Sequence, residues 1–298
     1  MAPPNIGMMF PRPTKEYHPE PYRAISPSRP ELSVEGQTVL ITGGATGIGL
    51  ETSKAFAQAG ASTIAILARS EAPMIKAKDL IEKEFSGTKV LTYSASITDT
   101  DRVNAIVKEI GTIDILVLNA GMMHKHAAVL DIDPDETLES FKVNVTGPLN
   151  LTRAFVKLPP RSERAERTVL YTSTGGIHFI QPGPSVYSAS KNAMTYLMRC
   201  IDAEYRDAGI RAFAFHPAIA YTDMAKAVGY KEDQFSYDST VLPAHFAVWL
   251  CSKEADFLRG KFSWAAWDVE ELMKKQDVIA KDQLVMDLSM HKVLEAGA

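Results

Sequence analysis

Thr38-Val39-Leu40-Ile41-Thr42-Gly43-Gly44-Ala45-Thr46-Gly47-Ile48-Gly49 reads as strand, turn and helix start in one short stretch. The apolar run Thr38–Thr42 predicts a buried strand, and the helical spacing of Ile48–Ala59, closed by Gly60, predicts the helix after it. Between them, Gly43 permits a tight turn, Gly47 lets the backbone approach a pyrophosphate, and Gly49 lets helix and strand touch. The unpaired N–H groups at Thr46, Gly47 and Ile48 would face that anion at the positive end of the helix.

Outward from this unit the alternation repeats. Strands are predicted at Ser62–Ala68, Val90–Ser94, Ile113–Leu118, Thr168–Thr172, Arg211–His216 and Gly260–Ala266. Helices are predicted at Pro73–Phe85, Asp99–Ile110, Asp135–Leu158 and Tyr187–Ala208. Near-continuous apolar strands separated by helices require a parallel sheet covered on both faces. The expected fold is α/β, a single domain built on a doubly wound parallel sheet, with its ligand beyond the carboxyl ends of the strands. The catalytic unit is expected over 34–267, with a helical extension of the same domain over 268–298 in which Leu272, Ile279, Leu284 and Leu288 line one face. Residues 1–33 carry eight prolines and are expected to form an irregular arm, surface-hugging or disordered, passive or laid over a neighbouring subunit.

The chain has 298 residues, 46% of them hydrophobic, enough for a sizeable core. A net charge of −4 offers no bulk attraction to nucleic acid or an anionic membrane. There is no apolar run of about 18 residues to span a bilayer. The first ten residues have the layout of neither a secretory signal nor a transit peptide, and Cys200 and Cys251 form no CxxC or disulfide framework. A cytoplasmic protein with free thiols is expected.

Where a dinucleotide fold that prefers NAD offers an acid to the ribose 2′-hydroxyl, the second strand ends in Ala68-Arg69. A guanidinium binds a 2′-phosphate bidentately, whereas an acid would repel it, so NADP is the preferred cofactor and NAD the alternative.

Tyr187-Ser188-Ala189-Ser190-Lys191 carries the chemistry. Residues four apart share a helix face, so Tyr187 and Lys191 point the same way. A phenol with its ordinary pKa near 10 is a poor base. An ammonium at roughly 4–5 Å, at an effective dielectric near 20, favours phenolate by about 4 kcal/mol. That is about three pKa units, which brings the phenol toward the range that acid–base catalysis uses.

The glycine turn, Leu118-Asn119-Ala120-Gly121, Asn144-Val145-Thr146-Gly147, Tyr171-Thr172-Ser173 and the Tyr187–Lys191 segment occur in the order and spacing of the short-chain dehydrogenase/reductase family, which residues 36–225 resemble. The wording of Phe257–Leu272 is similar to members common in filamentous fungi. The resemblance implies a Rossmann-like fold and a homodimer or homotetramer formed through the helices 135–158 and 187–208. It also implies roles: Tyr187 as acid/base, and Lys191 lowering its pKa and holding the nicotinamide ribose. Ser173 would bond the substrate oxygen, and Asn144 would fix a water linking Lys191 to solvent. Asn119, with Ala120 and Gly121, would border the adenosine side, and Pro217 and Thr222 would lie near the nicotinamide. Thr174 stands thirteen residues before Tyr187, where the family's serine usually falls, but aligning the strand favours Ser173. The sequence departs from the family at Ser96, where an aspartate usually binds the adenine amine, and at Ala218, where glycine is common.

Other features receive plainer readings. His124 and His126 are expected to be solvated, with no metal site, and Arg161–Arg167 to be a solvated connection. Met122 and Met123 fit a pocket wall or the core equally. Tyr221, Tyr230, Phe235 and Tyr237 suggest a bulky, largely apolar small-molecule substrate. The expected reaction is hydride transfer between a nicotinamide cofactor and a carbonyl or secondary alcohol. The alternatives are a redox-neutral epimerase, dehydratase or cyclase on the same fold, and a non-enzymatic nucleotide-binding protein.

Overall fold

Val39, Leu40 and Ile41 are wholly buried in β1 (Thr38–Thr42), so both faces of the sheet need cover. The computed structural model describes residues 3–162 and 165–281. β1 pairs with β2 (Thr63–Ala68) on one side and with β4 (Ile115–Leu118) on the other. β3 (Lys89–Ser94) lies outside β2, while β5 (Arg167–Thr172), β6 (Ile210–His216) and β7 (Phe262–Trp264) continue beyond β4. Every pairing in this seven-stranded sheet is parallel. The chain winds outward from β1 to β3, then returns to start again at β4. A crevice therefore opens above the carboxyl ends of β1 and β4, where the direction of winding reverses.

The helices are α1 (Gly47–Gln58), α2 (Glu71–Glu84), α3 (Thr100–Ile110), α4 (Pro134–Phe141), α5 (Gly147–Lys157), α6 (Ser185–Tyr205), α7 (Asp223–Ala227), α8 (Val241–Cys251), α9 (Val269–Lys274) and α10 (Gln276–Lys281). They cover both faces, α1 packing with α2 and α8, and α3 with α5. Among the described residues no helix is long and apolar enough to cross a membrane.

The single helix expected over 135–158 is interrupted. Lys142–Thr146 forms a π-helical turn between α4 and α5. Pro148 explains the break, because it has no N–H for the carbonyl four residues back, that of Asn144. That carbonyl instead accepts a hydrogen bond from the Tyr171 hydroxyl at 3.0 Å.

Of the connection expected to be solvated, Arg161, Ser162 and Glu166 are exposed, but Arg167 is not. Arg161 grips the buried carboxylate of Asp114 through Nε and Nη2 at 3.2 and 2.7 Å. Arg167 is buried in β5 and donates to the carbonyls of Phe155, Val156 and Leu158. The last carbonyls of a helix lack partners of their own, so a guanidinium that satisfies several can be taken out of water.

The proline-rich arm lies against its own chain. Ile25 and Leu32 are fully buried, the His18 N–H donates to the Ala266 carbonyl, and Arg29 pairs with Glu254. In the C-terminal extension Leu272 and Ile279 are buried; Leu284 and Leu288 lie outside the described residues.

Candidate active site

The glycine turn sits at the mouth of the crevice. Gly43 (φ +67°) and Gly47 (φ +52°) adopt the left-handed conformation that glycine tolerates. A Cβ on Gly49 would lie 2.0 Å from the Gly43 carbonyl oxygen, so nothing larger fits between helix and strand. Thr46 makes no side-chain cap at the start of α1, which leaves the helix N-terminus open to an anion. The loop after β4 is stitched to this turn. The Thr42 hydroxyl accepts from the Asn119 and Ala120 N–H groups at 3.0 and 2.9 Å, and the Asn119 amide donates to the Thr42 carbonyl at 3.1 Å.

A cleft of about 530 Å³ runs from the turn across the sheet edge. Gly43, Thr46, Gly47, Ile48 and Gly49 form one end, with Arg69 beside them. Asn119, Ala120, Gly121, Met122, Met123, Tyr187, Lys191, Pro217 and Thr222 line it too, with Thr222 close to Gly47. Ser96 also lines it, its hydroxyl 2.8 Å from that of Thr98. A second cavity of about 190 Å³ adjoins the first and is lined by Thr174, Phe179, Tyr230, Phe235 and Tyr237. Tyr187 borders both. Tyr221 packs against Tyr237 at 5.2 Å rather than lining either cavity. Ala218 carries the Cβ that its turn must accommodate at φ 117°, a conformation an L-residue holds only when its surroundings impose it.

Tyr187 and Lys191 share the inner face of α6, only 8% and 2% exposed. The Lys191 ammonium donates to the Thr172 carbonyl at 2.7 Å and lies 5.8 Å from the centre of the Tyr187 ring. Burial pushes Lys191 down to about 7. It raises the Tyr187 phenol above its ordinary value, with a hydrogen bond from Thr174 acting in the opposite direction. The lowering expected from the ammonium is not seen: burial disfavours both charged forms and sets both directions. The phenol is neutral here, the form that donates a proton.

The two candidate hydroxyls have different partners. Ser173 borders both cavities and lies 2.7 Å from the Thr195 hydroxyl, either of which can donate, and Thr195 is also 2.9 Å from the Lys191 carbonyl. Thr174, whose oxygen accepts from the Gly176 N–H, is the hydroxyl in contact with the phenol. Asn144 is wholly buried: its Oδ1 accepts from the Met122 N–H, and its Nδ2 donates to the Met122 carbonyl and to Ser190.

His124 is not a solvated loop residue. It is 2% exposed, with Nδ1–H donating to the Lys125 carbonyl at 2.6 Å and Nε2 accepting the Tyr187 N–H at 3.3 Å. It thus serves one of the orphan donors at the start of α6, and a packed ring with both nitrogens engaged has no need of water. Nothing in its local sequence announced this, because its partner lies on a helix distant in the chain. His126, by contrast, is exposed as expected; it stands edge-on to Tyr230 at 5.3 Å, and the desolvation it does undergo lowers its pKa.

A family model for short chain dehydrogenases matches residues 37–233. A short chain dehydrogenase/reductase of Claviceps purpurea is 38% identical over 93% of this chain and 94% of its own. The short chain dehydrogenase/reductase AacuD of Aspergillus aculeatus is 36% identical over 94% and 97%. The 3-ketoacyl-(acyl-carrier-protein) reductase of Brucella melitensis, solved as a complex with NADH, superposes with a TM-score of 0.69 at 26% identity, over 78% of this chain and 97% of that one. This chain belongs to the short-chain dehydrogenase/reductase family and is of the filamentous-fungal type.

Proposed function

We propose that this protein transfers hydride between NADP and a carbonyl or secondary alcohol on a bulky, largely apolar small molecule. The observation that carries the reading is a neutral phenol, in contact with the Thr174 hydroxyl, at the junction of a dinucleotide-sized cleft and an aromatic cavity. The cleft suits a dinucleotide because its glycine turn and uncapped helix start leave backbone N–H groups for a pyrophosphate. Thr46, Gly47 and Ile48 would hold that pyrophosphate, and Arg69 a 2′-phosphate. Asn119, Ala120 and Gly121 would border the adenosine side, Tyr187 and Lys191 the nicotinamide ribose, and Pro217 and Thr222 its carboxamide. When bound, the nicotinamide supplies or accepts the hydride.

In reduction Tyr187 gives its proton to the substrate oxygen as negative charge develops there. Ser173, which borders both cavities, stabilises that oxygen with a second hydrogen bond; Thr174, whose hydroxyl bonds the phenol, is the alternative. Lys191, held by the Thr172 carbonyl, and Asn144, locked to Met122, keep α6 and the loop after β4 in register. The same reading has residues 34–267 as the catalytic unit and the protein as a homodimer or homotetramer in the cytoplasm. The exposed Leu138 on α4 and Tyr196 on α6, together with two free cysteines, support the last two points.

The test is to follow the near-ultraviolet absorbance of the reduced nicotinamide against a panel of aryl and alicyclic ketones and alcohols. Absorbance should fall with ketone and rise with alcohol. Because burial raises the phenol above its ordinary value near 10, alcohol oxidation should keep accelerating with pH up to about pH 10 without levelling off, while ketone reduction does not. Product formed with no absorbance change would mean a redox-neutral reaction instead. For the cofactor, Arg69→Ala should weaken NADPH binding about tenfold or more and leave NADH nearly unaffected, as loss of a charge-assisted contact requires. Titration calorimetry with both cofactors reads the difference, and equal losses would remove the assignment.

A further inference from the structure

The N-terminal arm precedes the matched segment 37–233, yet it is tied to the loop that closes the aromatic cavity. That loop runs from Ile219 to Asp238, and Tyr230, Phe235 and Tyr237 on it line the cavity. Its two ends are pinched together: the Asp238 N–H donates to the Ile219 carbonyl, and the Ile219 N–H donates to Asp238 Oδ2, both at 3.0 Å. The Asp238 carboxylate is only 4% exposed, and its remaining hydrogen bonds come from the arm. Tyr17 donates to Oδ2 at 2.7 Å and the Asn5 amide to Oδ1 at 2.8 Å. Two backbone contacts extend the tie, from the Ser236 N–H to the Pro4 carbonyl and from the Ser239 N–H to the Pro19 carbonyl, at 3.1 and 2.8 Å.

The arm also backs the opposite wall. Phe10 stacks on Phe179 with ring centres 4.1 Å apart, and Phe179 lines the cavity. Phe10 stands edge-on to Trp264 at 5.8 Å, so it is wedged between the cavity wall and the sheet edge. The fit is close: a Cβ on Gly7 would fall 2.0 Å from the Tyr17 hydroxyl oxygen. A buried carboxylate is costly unless donors surround it, and two of its three side-chain and loop donors would leave with the arm. At the loop's other shoulder, Ala218 is held at a positive φ that needs outside support.

We propose that the arm is a built wall of the substrate pocket. Asn5 and Tyr17 are positioning residues that act through Asp238 to hold the 219–238 loop over an apolar substrate, and Phe10 fixes the placement of Phe179. The proposal rests on the reading of the aromatic cavity as the substrate site.

Hydrogen exchange measured by mass spectrometry tests it without any substrate. In Tyr17→Phe and in Gly7→Ala, peptides from 219–238 should exchange about tenfold faster or more than in the unaltered protein, as loss of a hydrogen bond to a charged acceptor requires. Peptides from β1 and β2 should be unchanged. With 1-tetralone as probe ketone, the KM should rise severalfold while kcat and NADPH affinity hold. Loop amides at the unaltered rate in both variants would overturn the proposal. If either variant also loosens the sheet, Asn5→Ala, at a part-buried site, decides by the same comparison. Faster loop exchange with no turnover of any ketone would sink the substrate assignment and leave the tie between arm and loop standing.

Discussion

Tyr187→Phe is expected to lower turnover at least a hundredfold while NADPH affinity stays within about twofold. The change removes one oxygen and keeps a ring that is already packed, so α6 and the cleft have no reason to move. What disappears is the proton donor, and a positioned general acid contributes roughly 10²–10⁴ in rate. Single-turnover hydride transfer from pre-bound NADPH checks it; undiminished transfer would end the mechanism. The two hydroxyls separate in the same assay. Ser173→Ala should cost about tenfold or more, the scale of one lost hydrogen-bond donor. Thr174→Val should cost less, because that hydroxyl bonds the phenol rather than the substrate oxygen.

The second large effect is structural. Gly49→Ala would drive a methyl group to 2.0 Å from the Gly43 carbonyl and 2.6 Å from the Asn119 amide. The first neighbour is backbone, so helix and strand must part. Forced overpacking costs about 1–3 kcal/mol, occasionally more, and at about 2–4 °C per kcal/mol for a domain near this size the melting temperature should drop by several degrees. The glycine turn is deformed by the same movement, so under the proposed function NADPH binding should weaken about tenfold or more. Gly87→Ala, with nothing within 4 Å and no left-handed backbone, is the control and should be close to neutral. Differential scanning fluorimetry with and without NADPH reads both variants. Equal behaviour of the two would show that the close approach at Gly49 is unimportant.

What the sequence disclosed, and what it withheld, follows from the range of the forces involved. β1, the turn and α1 were legible because each depends on neighbours in the chain: an apolar run, glycines at fixed offsets, a helical repeat. Tyr187 and Lys191 were legible for the same reason, since four residues on a helix is a distance. α8 was not, because Leu242, Ala244, Phe246, Ala247, Val248, Trp249 and Leu250 are all buried and an apolar surface all round leaves no stripe to detect. The break before α5 was hidden by apolar spacing that continues across Pro148. The role of His124 turned on the arrival of α6 beside it. The arm showed only its prolines; its hold on Asp238 is a contact between segments more than two hundred residues apart.

Pro148 leaves a mark beyond the kink it makes. By withholding an N–H it frees the Asn144 carbonyl, and the Tyr171 phenol that takes this acceptor also lays its ring 4.8 Å beneath the Lys191 ammonium. An imino acid on one helix thereby determines which residue a strand must present under the Lys191 ammonium. In divergence among relatives, positions 148 and 171 should be inherited as a pair: regaining the amide at 148 strands a buried phenol, and losing the phenol strands a buried carbonyl.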